Sequence, residues 1–244
     1  MGRERVVAII AAYNEADRIT ATVNAVKKID GVERILVVDD GSRDSTGDTA
    51  EKAGAQVLRL GENVGKGKAL QRAVEDITEE IVLFLDGDLG DCADEAGKVL
   101  APVLNRDVDM AIADFPKPEK AGGLGFAKGL GRWGIKRFTG KAMKEPLSGQ
   151  RAVRTALIKG LDFESGYGLE VGLSIDVLRR GCHVVEVPVN MTHRETGRDI
   201  AGFIHRGRQF LDILRVIAKR SLRNPESGRI SKVDRSHSED RISD

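Results

Sequence analysis

Ile81-Val82-Leu83-Phe84-Leu85-Asp86-Gly87-Asp88 is five apolar residues followed at once by two carboxylates around one glycine. A short apolar run without alternation reads as a strand buried on both faces, the kind found in parallel sheets covered by helices. Working outward, similar runs occupy Val6–Ala11, Ile35–Val38, Ala55–Leu60 and Val108–Ala113. Between them the apolar spacing turns helical, with Ile19, Val23, Val26 and Ile29 in one segment and Ala69, Leu70, Ala73, Val74 and Ile77 in another. Alternating strand and helix predicts an α/β fold with a central, mostly parallel sheet flanked by helices. Later, Gly168–Arg180 reads as a helix, Cys182–Val187 as a strand ended by Pro188, and Ile200–Leu222 as an amphipathic helix.

The 244 residues suit one large domain, taken here as 1–222, with a polar, disordered tail over 223–244. With 39 Lys and Arg against 38 Asp and Glu, the net charge of +1 excludes a globally basic nucleic-acid binder. No apolar run is long enough to span a bilayer, and no signal peptide is visible. Two cysteines, Cys92 and Cys182, cannot build a disulfide scaffold, so a reducing cytoplasmic setting is expected. The rhythm breaks over 116–144, where seven glycines and eight Lys or Arg accompany Phe126, Trp133 and Phe138. This reads as a basic, mobile insertion. It is a membrane-surface patch at the inner face, a lid over an acceptor, or a solvated basic loop with its aromatics in the core.

In an open parallel sheet, ligands bind beyond the carboxyl ends of the strands. Four polar clusters follow the first four strands: Tyr13-Asn14-Glu15, Asp39-Asp40-Gly41-Ser42, the Gly61–Lys68 stretch, and Asp86-Gly87-Asp88. Four clusters at one edge predict a shared ligand site. The Asp86/Asp88 pair offers hard oxygens of the kind Mg²⁺ or Mn²⁺ prefers, against the bland reading of a solvated turn. Glycines and lysines over 61–68 suit phosphate, but Lys66 stands five positions after Gly61, so this is no Walker A loop. Asp40 is expected to meet the ligand and Asp39 to hold the turn. Gly129–Gly134 matches the dinucleotide fingerprint without a preceding strand and is taken as chance.

These clusters, in this order, resemble the family 2 glycosyltransferases of GT-A fold. The resemblance rests on Ala12-Tyr13-Asn14-Glu15, Val38-Asp39-Asp40-Gly41-Ser42, Asp44-Ser45-Thr46, Asn63-Val64-Gly65-Lys66-Gly67 and Asp86-Gly87-Asp88. Ser148-Gly149-Gln150-Arg151 is similar to a stretch of polyprenyl-phosphate sugar synthases. The resemblance implies a nucleotide-sugar donor, with Ala11, Tyr13, Glu15 and Asp40 around the nucleoside and Gly65 and Lys66 at the diphosphate. It also implies a metal held by Asp86 and Asp88, with His193 completing the shell as in glucosyl-3-phosphoglycerate synthases. Arg194 and Asp88 would act in catalysis. Gly90 stands where the lipid-phosphate enzymes often carry a Gln, and no Gly-Arg-Val-Thr string typical of the phosphoglycerate enzymes is evident.

The implied reaction moves a hexose, from UDP-glucose or GDP-mannose, to a phosphate-bearing acceptor such as a polyprenyl phosphate, or to a small soluble one. Glu170 is a general-base candidate for a hydroxyl acceptor, or an ordinary acid in the first turn of a helix. Arg151 and Arg198 are candidates for holding an acceptor phosphate. A homodimer is one form such a chain could take. Two other classes compete. A sugar-phosphate nucleotidylyltransferase would carry a Gly-rich Arg loop where Tyr13-Asn14-Glu15 stands. A non-catalytic nucleotide-sugar sensor would have no need of both Asp86 and Asp88.

Overall fold

Strand β1 (Val6–Ala12) has six of its seven residues buried, because it lies between two parallel neighbours and is covered on both faces. Those neighbours are β2 (Val32–Asp39) and β4 (Ile81–Asp86). In this computed structural model, which describes residues 3–116, 125–164, 166, 168–191 and 200–222, the sheet has seven strands. Outside β2 lies β3 (Gln56–Arg59). Beyond β4 come β6 (Arg151–Arg154), β5 (Met110–Asp114) and β7 (Val184–Pro188). The order is β3-β2-β1-β4-β6-β5-β7, and β6 runs antiparallel to both of its neighbours.

Pleating sends Val6, Ala8, Ile10 and Ala12 to one face and Val7 and Ile9 to the other. The first face is packed by α1 (Ile19–Val26) and α4 (Ala96–Leu104), joined through a 3-10 turn at Gly90–Glu95. The second is packed by α3 (Lys66–Glu75), α5 (Gly125–Thr139), α7 (Gly168–Arg179) and the C-terminal α8 (Ile200–Leu222). Two shorter helices, α2 (Thr46–Lys52) and α6 (Thr155–Ile158), follow β2 and β6. The sheet expected from the apolar runs is therefore present, with one added strand, β6.

The basic stretch over 116–144 is helical from Gly125 to Thr139. Its dinucleotide-like fingerprint lies inside that helix and not at a strand-to-helix turn, in keeping with a chance match. The aromatics divide. Phe138 packs against the core with the Arg179 guanidinium 4.8 Å over its ring, whereas Phe126 and Trp133 are 86% and 55% exposed. The core reading of all three therefore holds for Phe138 alone. No described helix is long and apolar enough to cross a membrane. The tail expected over 223–244 lies outside the described residues.

Candidate active site

Parallel register brings the carboxyl ends of three strands level, with Ala12 opposite Asp39 and Ala11 opposite Asp86. The chains then cross-link as they leave the sheet: Gly87 N–H donates to Ala11 O and Asp40 N–H to Ala12 O, each at 2.9 Å. A Cβ at Gly87 would lie 3.0 Å from Ala12 Cβ and 3.2 Å from Ala11 O, so the close approach favours glycine. Thr22, buried on α1, locks the loop from below. Its hydroxyl donates to Gly87 O and accepts from Gly90 N–H, both at 2.8 Å.

The aspartates after β2 do a related task. Asp40 accepts from Val64 N–H at 2.8 Å and from Gly65 N–H at 2.9 Å, one bond to each carboxylate oxygen. Asp39 accepts from Ser42 N–H at 3.0 Å. Gly41, at φ 71°, lets the turn press against the Glu62 backbone, where any side chain would clash. Both carboxylates thus hold backbone, and Asp40, expected to face the ligand, also fixes the glycine loop that presents Gly65 and Lys66. Nearby, Asn14 adopts φ 56° and accepts from Arg43 N–H at 2.8 Å, and Glu15 N–H donates to Thr46 Oγ1 at 2.8 Å. Tyr13 is exposed beside this turn and Ala11 is half-buried at the strand end.

A charged cluster closes the edge. Lys66 opens α3, and its Nζ lies 2.7 Å from Asp86 Oδ1 and 3.2 Å from Glu170 Oε1 on α7. Burial alone would lower the Lys66 pKa, but Asp86 and Glu170 outweigh it and hold the ammonium above the ordinary lysine range. Gln150, fully buried just before β6, donates from Nε2 to Asp86 Oδ2 at 2.7 Å. Gly149 makes room, since a Cβ there would collide with Lys66 Nζ. Two buried acceptor oxygens in the cluster, Gln150 Oε1 and Glu170 Oε2, have no hydrogen-bond donor among the described residues. A deficit of donors is what a bound hydroxyl, water or cation satisfies. Asp88 is half-buried; its backbone carbonyl accepts from Arg18 Nη1 at 3.1 Å, while its carboxylate accepts no hydrogen bond from a described residue.

Asp40, Gly65, Lys66, Asp86 and Glu170 are therefore joined through one continuous network of contacts. Arg151, expected to meet an acceptor phosphate, is enclosed by protein in this structure. It is 2% exposed, donating to Ser148 O, to Glu170 O at 3.1 Å and to Ser174 Oγ at 3.3 Å. Burial pulls its guanidinium down to about 10, although Glu170 and Asp86 favour the charge. It props α7 from behind the site. His193, Arg194 and Arg198 lie outside the described residues. The residues given no role from sequence are Gln150, although it stands in the quoted Ser148-Gly149-Gln150-Arg151 stretch, and Thr22, which reads as an ordinary helical threonine.

Asp86 and Asp88 supply hard carboxylate oxygens, and among the described residues no third His, Cys, Asp or Glu joins them in a metal cluster. Two carboxylates fit Mg²⁺ or Mn²⁺, which take their other ligands from water and phosphate oxygens.

A mostly parallel α/β sheet whose carboxyl edge gathers a glycine loop, a lysine and an Asp-Gly-Asp turn belongs to the class of open α/β proteins whose ligand sites lie at that edge. The chain belongs to the Glycosyl transferase family 2, whose sequence model matches residues 7–158. It is 33% identical over 193 residues to glycosyltransferase AglJ of Haloferax volcanii, covering 77% of this chain and 63% of AglJ. The chain thus spans less than two thirds of that relative's length. It is 26% identical over 213 residues to the undecaprenyl-phosphate mannosyltransferase of Micrococcus luteus, covering 79% of this chain and 86% of that protein. Its fold superposes with a TM-score of 0.72 on glucosyl-3-phosphoglycerate synthase from Mycobacterium tuberculosis, a structure holding Mn²⁺, UDP-glucose and phosphoglyceric acid. That match is 25% identical and covers 88% of this chain and 80% of the other. The expected GT-A architecture and family are thereby met.

Proposed function

We propose that this chain transfers a hexose from a nucleotide sugar to a phosphate-bearing acceptor, with UDP-glucose the first donor to test and GDP-mannose the second. The observation that carries the reading is the Lys66–Asp86–Glu170–Gln150 cluster, charged, partly buried and short of donors at the sheet's carboxyl edge. Its place beside the Asp40-anchored glycine loop suits a diphosphate, and the synthase it superposes on holds UDP-glucose and Mn²⁺.

In this reading Ala11, Tyr13 and Glu15 frame the nucleoside, with Asp40 holding the loop that borders it. Gly65 and Lys66 meet the diphosphate. Asp86 and Asp88 hold Mg²⁺ or Mn²⁺, with His193 as a further ligand, and a cation there neutralises charge developing on the departing diphosphate. Lys66 stays protonated between its two carboxylates and adds a second positive charge, joined by Arg194. Glu170 Oε2 accepts a hydrogen bond from a donor or acceptor hydroxyl and serves as base where the acceptor is a hydroxyl. A phosphate acceptor is already anionic, needs no such base, and is met by Arg198. The relatives support two acceptors of this kind, a polyprenyl phosphate and a small soluble phosphate such as phosphoglycerate.

Calorimetry with UDP, GDP, UDP-glucose and GDP-mannose, each with Mn²⁺, Mg²⁺ or EDTA, tests this. The expected result is tight binding of one nucleotide family with metal only, followed by hexose transfer to one of the two acceptor types. Absence of metal-dependent binding to any nucleotide overturns the reading. Pyrophosphate release from a nucleoside triphosphate and a sugar phosphate would replace it with a nucleotidylyltransferase. Binding without turnover on either acceptor would replace it with a sensor.

A further inference from the structure

Helices α5 and α8 pack on each other, and each leaves large apolar side chains exposed. They cross at Gly134, where a Cβ would lie 2.8 Å from Ile217 Cδ1, and Ile135, Ile213 and Ile217 face inward in one core. Trp133 immediately precedes the crossing glycine, and Leu214 lies one turn before Ile217. Both helices therefore carry apolar side chains outward beside the same crossing. Phe126 and Trp133, seven residues apart on α5, are exposed, as are Leu211, Leu214 and Leu222 on α8. A soluble surface scatters such residues singly; a cluster of them marks an interface.

The charge on these helices chooses the occupant. Of the nine Lys or Arg these helices carry in sequence, Lys128, Lys219 and Arg220 are paired with carboxylates of other segments and Arg206 and Arg208 precede the described side chains of α8, which leaves four, against the single acid Asp212. With a net charge of only +1 for the whole chain, the remainder of the molecule is net acidic. Arg132, Trp133, Lys136 and Arg137 form an exposed run on α5, and Arg215 is 78% exposed on α8. A second copy docked face to face would set these cations against themselves. An anionic partner with an apolar interior meets both halves of the pattern: cations at headgroup level, with a tryptophan, a phenylalanine and leucines entering below. We infer that the α5–α8 face docks on an anionic bilayer surface, as a peripheral contact that spans nothing. Both helices pack on α7, which carries Glu170, so docking would seat the membrane on the flank of the molecule that holds that carboxylate.

Trp133 is the sole tryptophan, so its emission reports on this face alone. The full chain is mixed with phosphatidylcholine vesicles, with or without phosphatidylglycerol and free of any polyprenyl phosphate, and followed by Trp133 emission and co-sedimentation. The expected result is a blue shift and pelleting with the anionic vesicles only, both reversed by molar salt. Lys136→Glu with Arg137→Glu should weaken vesicle binding at least about tenfold while leaving UDP binding unchanged. If the double variant fails to fold, the salt titration of the unaltered protein decides. An unshifted emission with the protein left in the supernatant overturns the inference. So does equal binding to neutral vesicles. A blue shift that follows protein concentration without lipid, with a doubled mass, would assign the face to self-association and overturn it as well.

Discussion

Lys66 is held by chemistry that the sequence disclosed only in part. Its place in a glycine loop marked it for an anion, but nothing in Asn63–Lys68 shows that two carboxylates from elsewhere in the chain would grip its ammonium. Gln150 was obscure for the same reason: its partner Asp86 is 64 residues away, and only the antiparallel β6 brings them together. The enclosure of Arg151 by Ser148, Glu170 and Ser174 was equally hidden, since its partners on α7 are about twenty residues away in sequence. If Lys66 serves the diphosphate, Lys66→Met keeps the stem and removes the charge. A charge-assisted contact is worth about 1.5–3 kcal/mol, so UDP affinity should fall roughly ten- to a hundredfold while uridine affinity stays put. Calorimetry of the two ligands checks this; an equal loss for both would mean that the lysine merely shapes the pocket.

At the level of elements, buried apolar runs located β1, β2, β4 and β5 within a few residues, because strands covered on both faces carry their signal in composition alone. Strand β6 carries no such signal. Its four residues, Arg151-Ala152-Val153-Arg154, begin and end in arginine and gain their place from pairing with β4 and β5. Helix α4 carries Pro102 inside it, a residue that usually breaks a helix and so masks this one in the sequence. Helix α8 was legible as amphipathic, but its anchor was not. Arg220 is 1% exposed and lies 2.5 Å from Asp176 on α7 and 2.8 Å from Glu164. Burial opposes its charge, yet the two carboxylates keep its pKa raised. Arg220→Ala takes the guanidinium from Asp176 and leaves Glu164 with Lys219 at 3.1 Å, and should cost about 3–5 kcal/mol of stability. Urea unfolding checks it; a loss under 1 kcal/mol would class the cluster with ordinary surface pairs.

Across the whole molecule, the sheet separates what keeps the chain folded from what the site does. Asp86 ends β4 at the carboxyl edge, while Ile81 begins it opposite Arg154, five residues and about 3.3 Å per residue away. At that far edge Arg154 donates to Glu4 at 2.9 Å and to Val103 O at 3.2 Å, and Arg106 adds a second cation to Glu4 at 3.3 Å. Arg154→Ala unpairs part of this network and should lower the unfolding free energy by about 1–3 kcal/mol. Asp88→Ala should leave it nearly unchanged, since that carboxylate accepts no hydrogen bond from a described residue. With UDP and Mn²⁺ at a hundred times Kd, binding to the folded state adds about 2.7 kcal/mol. That increment should survive intact in Arg154→Ala and vanish in Asp88→Ala, and EDTA should erase it in every chain that shows it. Thermal unfolding of the three proteins with and without ligand reads both quantities at once. If Arg154→Ala lost the increment, the two edges would be coupled through β4, and the sheet could no longer be treated as a rigid spacer between stability and binding.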